Sequence, residues 1–433
     1  MKLAIIADDL TGANDSGVQL AKYGLKTSVF FKEDEKHIIG KDAAVFDTDS
    51  RAMEKGEAAD LVANVTKFLL DQGVEYIYKK IDSTMRGNVG SELLGFQKEL
   101  KQDFIFIVPG YPNNGRKVID GYHYLNDRKL SETEIANDPV TPVLESYLPK
   151  LLGDQMGQKV GLITLAELRN TELFQNKLIQ FKENNVAFIV IDSELDSDLE
   201  LLLEKIKNVA YKVGLVGSAG LANYLPSHFG LEASSINFTI ENKNKPILTV
   251  VGSVNVQSRK QLKILLQNKD ISSIKVDSFK AVSDMESRDS EIDRVYSEVR
   301  KLAEEGKDVV IYSAGEPEDI QYARQIGGTN GFNYTETSKE IVKMIGEVSS
   351  RLLQEELFQG VVMTGGDTAK KICEQWNVTG FQLYDELEVG VPISSFIGVD
   401  GLYAITKAGG FGQENVLLDS IEKLKGELSY EKE

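Results

Sequence analysis

At 433 residues the chain exceeds what one hydrophobic core usually holds, so two domains are expected. Its 42% hydrophobic and 27% charged residues are ordinary for a soluble globular protein, and a formal charge of −18 argues against nucleic acid as a partner, because that affinity is built on a basic surface. A lone cysteine, Cys373, excludes an intramolecular disulfide and any cysteine-based zinc cluster, and His37, His123 and His228 are too scattered for a metal pattern. The apolar run of MKLAIIADDL is too short for a signal peptide and no stretch is long enough to span a membrane, so the cytoplasm is the expected compartment.

KLAIIA opens the chain as a buried strand and leads to a helix around SGVQLAKYG, with Val18, Ala21 and Leu25 on one face. TSVFF and AAVFDTDSR follow as strands. Then comes a helix in which Leu61, Val65, Phe68 and Leu69 share a face and Gly73 ends it. EYIYKKIDS, DFIFIVPG, VGLITL, FIVID and VGLVGS read as further strands, and the polar segment 231–246 reads as the domain joint. Beyond it ILTVVGS, DVVIYSAGE, GVVMTGG and ISSFIG-LYAITKAGG repeat the style. Each is a short continuous apolar run, the pattern of strands covered on both faces. The expectation is an α/β protein: two α/β domains with mainly parallel sheets facing a central cleft, bounded near 1–235 and 245–433.

Ligands of open α/β sheets sit at the carboxyl ends of the strands. In the first half those ends carry Asp8, Asp9, Thr11, Asn14 and Asp15, then Asp47, Asp49 and Arg51, then Lys79, Lys80, Asp82, Ser83, Thr84 and Arg86. Such a rim offers carboxylates and amides to sugar hydroxyls. Arg51 and Arg86 each have the planar fork that grips a carboxylate. Asn14 or Asp15 is also a candidate cap for the first helix, and Asp82 or Ser83 for the next. Caps do not call for two Arg and two Lys beside the carboxylates, however. In the second half the strand ends carry Gly252-Ser253, Ser258 at the expected start of a helix, Ser313 with Gly315-Glu316, and two glycine turns, Gly365-Gly366 and Gly409-Gly410, each expected to hand a strand over to a helix. Glycine lets a backbone approach a ligand closely, and a helix start attracts anions, so a phosphate-binding surface is expected. In an acidic chain it needs local Lys or Arg, backbone N–H groups or Mg²⁺, and Asp367 suits a magnesium nucleotide. There is no P-loop and no dinucleotide fingerprint.

The strings IADDLTGANDSGVQL, KKIDSTMRGNVGSEL, VVGSVNVQSRKQL, VVMTGGDTA and ITKAGGFG resemble the four-carbon acid sugar kinase family, over almost the whole chain and in the expected order. The loop GYPNNGR looks similar to the family as well. The resemblance implies an ATP-dependent kinase phosphorylating the terminal 4-hydroxyl of threonate, erythronate or a 3-oxo-tetronate, with the acid in the N-terminal domain and ATP with Mg²⁺ in the C-terminal one. Carried over by motif, Asp9 with Asp8, Arg51, Lys80, Ile81, Asp82, Ser83 and Thr84 meet the acid. Arg86, at a neighbouring strand end, is expected to join them, with Arg51 as the clamp for the fixed carboxylate charge and Lys80 and Arg86 available to share it or meet the transferred phosphate. Asp8, Asp9 and Asp82 are the candidates for taking the hydroxyl proton, Asp8 and Asp82 foremost. Ser258, Thr364, Gly365, Gly366, Asp367, Thr368, Gly409 and Gly410 meet ATP. Metal ligands stay unassigned and a homo-oligomer stays open; small molecules, not nucleic acid or membrane, are the expected partners. The rival readings are a non-catalytic sensor of sugar acid and nucleotide, and a hydroxy-acid dehydrogenase, which the missing fingerprint disfavours.

Overall fold

The computed structural model describes residues 1–138, 140–233 and 238–427. The chain separates into two compact units, Met1–Ser235 and Ile236–Glu433. Residues 234–237 of the expected joint and the charged tail 428–433 lie outside the described residues.

The first unit holds β1 (Leu3–Ala7), β2 (Thr27–Phe30), β3 (Ala43–Asp47), β4 (Tyr76–Lys80), β5 (Phe104–Val108), β6 (Arg116–Ile119), β7 (Tyr122–Leu125), β8 (Arg128–Lys129), β9 (Val160–Ile163), β10 (Phe188–Ile191) and β11 (Val213–Gly217). Eight of them form an all-parallel sheet in the order β2-β3-β1-β4-β11-β5-β10-β9. Every residue of β1, β3 and β5 is buried, as expected of strands covered by helices on both faces. The helices Lys55–Asp71 and Val89–Leu100 pack so closely that a Cβ on Gly95 would lie 2.0 Å from the Ala59 carbonyl oxygen. From β1 the chain crosses to β2 on one side, and from β3 it crosses to β4 on the other. The crevice this reversal leaves opens at the carboxyl ends of β3, β1 and β4.

The second unit holds β12 (Ile247–Val251), β13 (Ile271–Val276), β14 (Asp308–Ser313), β15 (Gly360–Thr364), β16 (Gly380–Glu388), β17 (Val391–Phe396) and β18 (Tyr403–Lys407), in the order β13-β14-β12-β15-β18-β17-β16. The first five are parallel; β17 pairs antiparallel with β18, and β16 antiparallel with β17. The same reversal occurs here, toward β13 after β12 and toward β15 after β14, so the crevice lies between β12 and β15. The helix Val416–Lys425 closes the core with Val416, Leu417, Ile421 and Leu424, all buried. No helix among the described residues is long and apolar enough to cross a membrane.

Three elements escape the search for apolar runs: the small sheet β6-β7-β8, edge strand β13, and β16 with its charged second half. The first carried a legible signal. Asp120-Gly121 and Asn126-Asp127 each put two consecutive residues at positive φ, the demand of a type I′ hairpin, and Asp-Gly is its strongest sequence mark.

Candidate functional site

In the first unit the site is built on three neighbouring strand ends. Asp8 and Asp9 follow β1. Asp9, extended at φ −149°, caps the helix Leu10–Lys22 by accepting the Gly12 N–H at 2.9 Å; neither Asn14 nor Asp15, both inside the helix, is its cap. Asp82 and Ser83 do not cap the next helix either, since Val89–Leu100 starts after Asn88. Asp8 is buried. Its Oδ2 accepts Arg51 Nε at 2.7 Å, while Oδ1 has no hydrogen-bond partner among the described residues. Arg51, from the loop after β3, also meets Asp9 Oδ2 at 2.9 Å and lies 3.7 Å from Asp82 Oδ1. Its guanidinium is thus paired with aspartates in this structure. Burial would lower its pKa, but the three carboxylates outweigh that and hold it charged.

Asp82, just beyond β4, is the most heavily bonded of the three aspartates around Arg51. It accepts the Thr84 hydroxyl at 2.5 Å, the Arg86 backbone N–H at 3.2 Å, and Arg86 Nε and Nη2 at 2.8 and 3.1 Å. Burial alone would raise its pKa, but these bonds and the charges of Arg51 and Arg86 carry it well below the ordinary carboxylate range. A carboxylate so held is a poor proton acceptor. Asp9 shifts the other way: burial, then the charge of Asp8, raise it against the pull of Arg51 and Lys80.

The two lysines of β4 point to opposite faces, as strand alternation requires. Lys79 forms a 2.7 Å ion pair with Glu92, both fully buried, and Glu92 accepts the Ser50 hydroxyl at 2.7 Å. Lys79 therefore holds the Arg51 loop from beneath and is not a rim residue. Lys80 Nζ turns toward the crevice. It donates to the Ile81 carbonyl at 3.0 Å, and among the described residues no carboxylate lies within ion-pair distance. A Cβ on Gly12 would come within 2.7 Å of that Nζ, which explains a glycine in the first helical turn.

In the second unit, a cavity of about 470 Å³ opens over the β12/β15 crevice. Ser253, Ser313, Asp367 and Thr368 line its polar end, and Ile320, Ala323, Ile341 and Val342 its apolar wall. Gly365, at φ +93°, turns the chain from β15 directly into the helix Gly366–Trp376, as the spacing predicts. The second glycine turn differs from expectation. Gly409-Gly410 is separated from the helix Val416–Lys425 by a loop, and side chains anchor it: Gln261 donates to the carbonyls of Phe411, Gly412 and Gln413, and Gln257 to Gly412. Ser258 is not a cap, because the helix Val256–Leu265 starts one turn earlier on Asn255. Its buried hydroxyl donates to the Gly409 carbonyl at 2.8 Å and accepts Lys407 Nζ at 3.1 Å. Lys407, overlooked in the ITKAGG string, also donates to the carbonyls of Ala408 and Gly409. Burial pushes its ammonium down to about 8 despite the charge of Glu388.

No group of three or more His, Cys, Asp or Glu side chains among the described residues is arranged to hold a metal. A second omission of sequence reasoning is the hairpin β6–β7, whose Arg116 and His123 come within the field of Asp82.

The family model described as a sugar-binding N-terminal domain matches residues 3–225, and one described as a nucleotide-binding C-terminal domain matches residues 248–417. The chain is 30% identical to the D-threonate kinase of Salmonella typhimurium, across 97% of this chain and 98% of that one. It is 28% identical to the D-erythronate kinase of Heliobacterium modesticaldum, across 99% and 98%. It is 25% identical to the 3-oxo-tetronate kinase of Actinobacillus succinogenes, across 96% and 98%. A crystal structure of a Haemophilus influenzae protein, 24% identical, shares the fold with a TM-score of 0.78 over 97% of this chain and all of the other.

Proposed function

The chain belongs to the four-carbon acid sugar kinase family, and from that premise we propose that it transfers the γ-phosphoryl group of ATP to the terminal 4-hydroxyl of a four-carbon sugar acid. The observation that carries this reading is the correspondence, over nearly the full length, with kinases named for three different four-carbon acids. The geometry agrees with it. The acid belongs to the rim of the first unit, among Asp8, Asp9, Arg51, Lys80 and the segment Ile81–Arg86. The nucleotide belongs to the cavity of the second, its base along Ile320 and Ile341 and its phosphates toward Ser253, the turn Thr364–Thr368 and Gly409-Gly410. ATP and the single buried cysteine both suit the cytoplasm.

Of the carboxylates considered for taking the hydroxyl proton, Asp8 is favoured over Asp82. Asp82 spends its acceptor capacity on Thr84 and Arg86, whereas Asp8 Oδ1 is buried without a partner and ready to accept a substrate hydroxyl. Arg51 holds the other Asp8 oxygen and keeps three neighbouring carboxylates compatible. Lys80, the ammonium left without a carboxylate, faces the incoming negative charge. Phosphoryl transfer is mostly positioning and charge neutralisation, so these tasks account for much of what the protein must do. Mg²⁺ usually keeps several waters and binds through one or two carboxylates together with the phosphates, and the lone Asp367 at the polar end of the cavity fits that pattern. When bound, the ion would neutralise phosphate charge.

A coupled assay of ADP release over D-threonate, D-erythronate, L-threonate and their oxo forms tests the reading. Turnover that depends on one of these acids is expected. ATP binding without acid-dependent ADP release would favour the sensor instead.

A further inference from the structure

Three guanidinium groups lie within the field of Asp82, and two are already engaged. Arg51 is held by Asp8 and Asp9, and Arg86 by Asp82 and, at 3.4 Å, Asp138. The third, Arg116, has no carboxylate within ion-pair distance among the described residues. Its Nη1 donates to the Asn114 carbonyl, and its Nε is buried with no hydrogen-bond partner. Arg116 belongs to β6, the first strand of the hairpin that the Asp120-Gly121 turn closes.

The register of the hairpin decides where this side chain goes. Val118 pairs with His123 and Arg116 with Leu125, so these four share one face. That face is the covered one: Val118, His123 and Leu125 are buried, whereas Lys117, Ile119, Tyr122 and Tyr124 on the other are partly exposed. A bridge from Val118 to Ser193 docks the far part of the hairpin over the end of β10, and one from Arg116 to Tyr111 ties its start to the loop after β5, two strands from β4. His123 is fully enclosed, yet among the described residues neither ring nitrogen has a hydrogen-bond partner. Three buried polar nitrogens on one face, unpaired and within the field of Asp82, form an incomplete network. Each such group costs about 1–3 kcal/mol when left unmade, and native proteins rarely leave several together without a ligand or water to complete them.

We propose that the hairpin β6–β7 completes the acid-sugar site, with Arg116 gripping the substrate carboxylate and His123 reading an adjacent hydroxyl. This rests on the kinase reading and deepens it by relocating the carboxylate grip from Arg51 to Arg116. The chemistry of the pair matches the two ends of the recognition problem. A guanidinium donates to a carboxylate through a planar fork. A neutral imidazole carries one donor and one acceptor, suited to a hydroxyl that does both; burial keeps His123 neutral, with its pKa pushed down to about 3. The epimers of a four-carbon acid differ in the direction of one hydroxyl, so a single rigid imidazole beside the carboxylate can tell them apart. A site built to bond a hydroxyl discriminates strongly, because the wrong epimer leaves its buried group unpaired.

Calorimetric binding without nucleotide and steady-state kinetics, on full-length Arg116→Gln, Arg116→Lys and His123→Phe, test the assignment. With the acid that the wild type prefers, Arg116→Gln is expected to weaken binding by about ten- to a hundredfold, the loss of one charge-assisted pair. Binding of the matching uncharged four-carbon polyol and the KM for ATP should stay unchanged. Arg116→Lys, which keeps the charge without the fork, should restore only part of the acid affinity. His123→Phe should move the kcat/KM ratio of threonate to erythronate by at least about tenfold. An Arg116→Gln enzyme with a wild-type acid KM overturns the inference while leaving the kinase reading intact. So does equal loss of acid and polyol binding, which would mark a structural role. If Arg116→Gln fails to fold, Arg116→Lys decides: acid binding equal to wild type overturns the assignment. A wild type that phosphorylates no four-carbon acid overturns the kinase reading and this inference with it.

Discussion

Single residues divide the rim into atoms that are spent and atoms that are available. Asp82 and Arg86 satisfy each other, whereas among the described residues one buried Asp8 oxygen has no hydrogen-bond partner and Lys80 has no carboxylate within ion-pair distance. Asp8→Asn preserves shape but cannot accept the hydroxyl proton, so kcat is expected to fall about a hundredfold or more. The ATP KM should change little, since ATP is assigned to the other unit; steady-state kinetics with an acid identified by the coupled assay checks this. Asp8, Asp9 and Arg51 were all legible from the sequence as strand-end residues. Their pairing was not, because an Arg that ends one strand and an Asp that ends another are 43 residues apart, and only the sheet order brings them together.

At the scale of elements, two close contacts carry testable consequences. Gly95 allows the helices Lys55–Asp71 and Val89–Leu100 to touch backbone to side-chain position, so Gly95→Ala drives a Cβ into the Ala59 carbonyl. Overpacking of this kind costs about 1–3 kcal/mol. The melting temperature should fall, while the KM for ATP stays at the wild-type value; a melting temperature at or above wild type would mean the helices can separate freely. The hairpin makes its own prediction about pH. His123 is neutral in the folded chain, with a pKa near 3, whereas in an unfolded chain it titrates near 6.5. The lowered folded value means its contribution to stability is fully present above about pH 6.5 and is lost as pH falls toward 3. Asp82 and Arg116 are the charged groups whose fields reach it, with opposite signs. His123→Phe should flatten the acid side of the stability profile, and urea unfolding of both proteins between pH 4 and pH 7 would show it. An unchanged slope would mean that the ring is hydrated and protonates freely.

For the molecule as a whole, the formal charge of −18 repels both proposed ligands, which are anions. The local cations that hold them are buried or half-buried and are screened less than the surface charge. Raising ionic strength from about 0.01 to 0.15 M shortens the Debye length from roughly 30 to 8 Å, so association of the acid with the protein should quicken a few-fold. Stopped-flow binding checks this, and a rate that falls with salt would show that local cations dominate the field beyond the surface.

What the sequence by itself determined was the class of fold and the inventory of chemistry. Continuous apolar runs ending in Asp-Asp, Lys-Lys-Ile-Asp and Gly-Gly marked parallel strands and their carboxyl ends, because burial on both faces and ligand binding at strand ends are local in their demands. The mixed strands β6, β7, β13 and β16 were missed because polar residues interrupt their apolar runs and their partners are set by pairing, not by composition. Only the tertiary structure decided which arginine is already neutralised, that Asp9 and not Asn14 or Asp15 caps the first helix, that Lys79 lies beneath the site while Lys80 faces it, and that Ser258 answers to Lys407. Hydrogen bonds and ion pairs join atoms a few ångströms apart whatever their separation in the chain, so the roles within a site follow from the order of strands in the sheet.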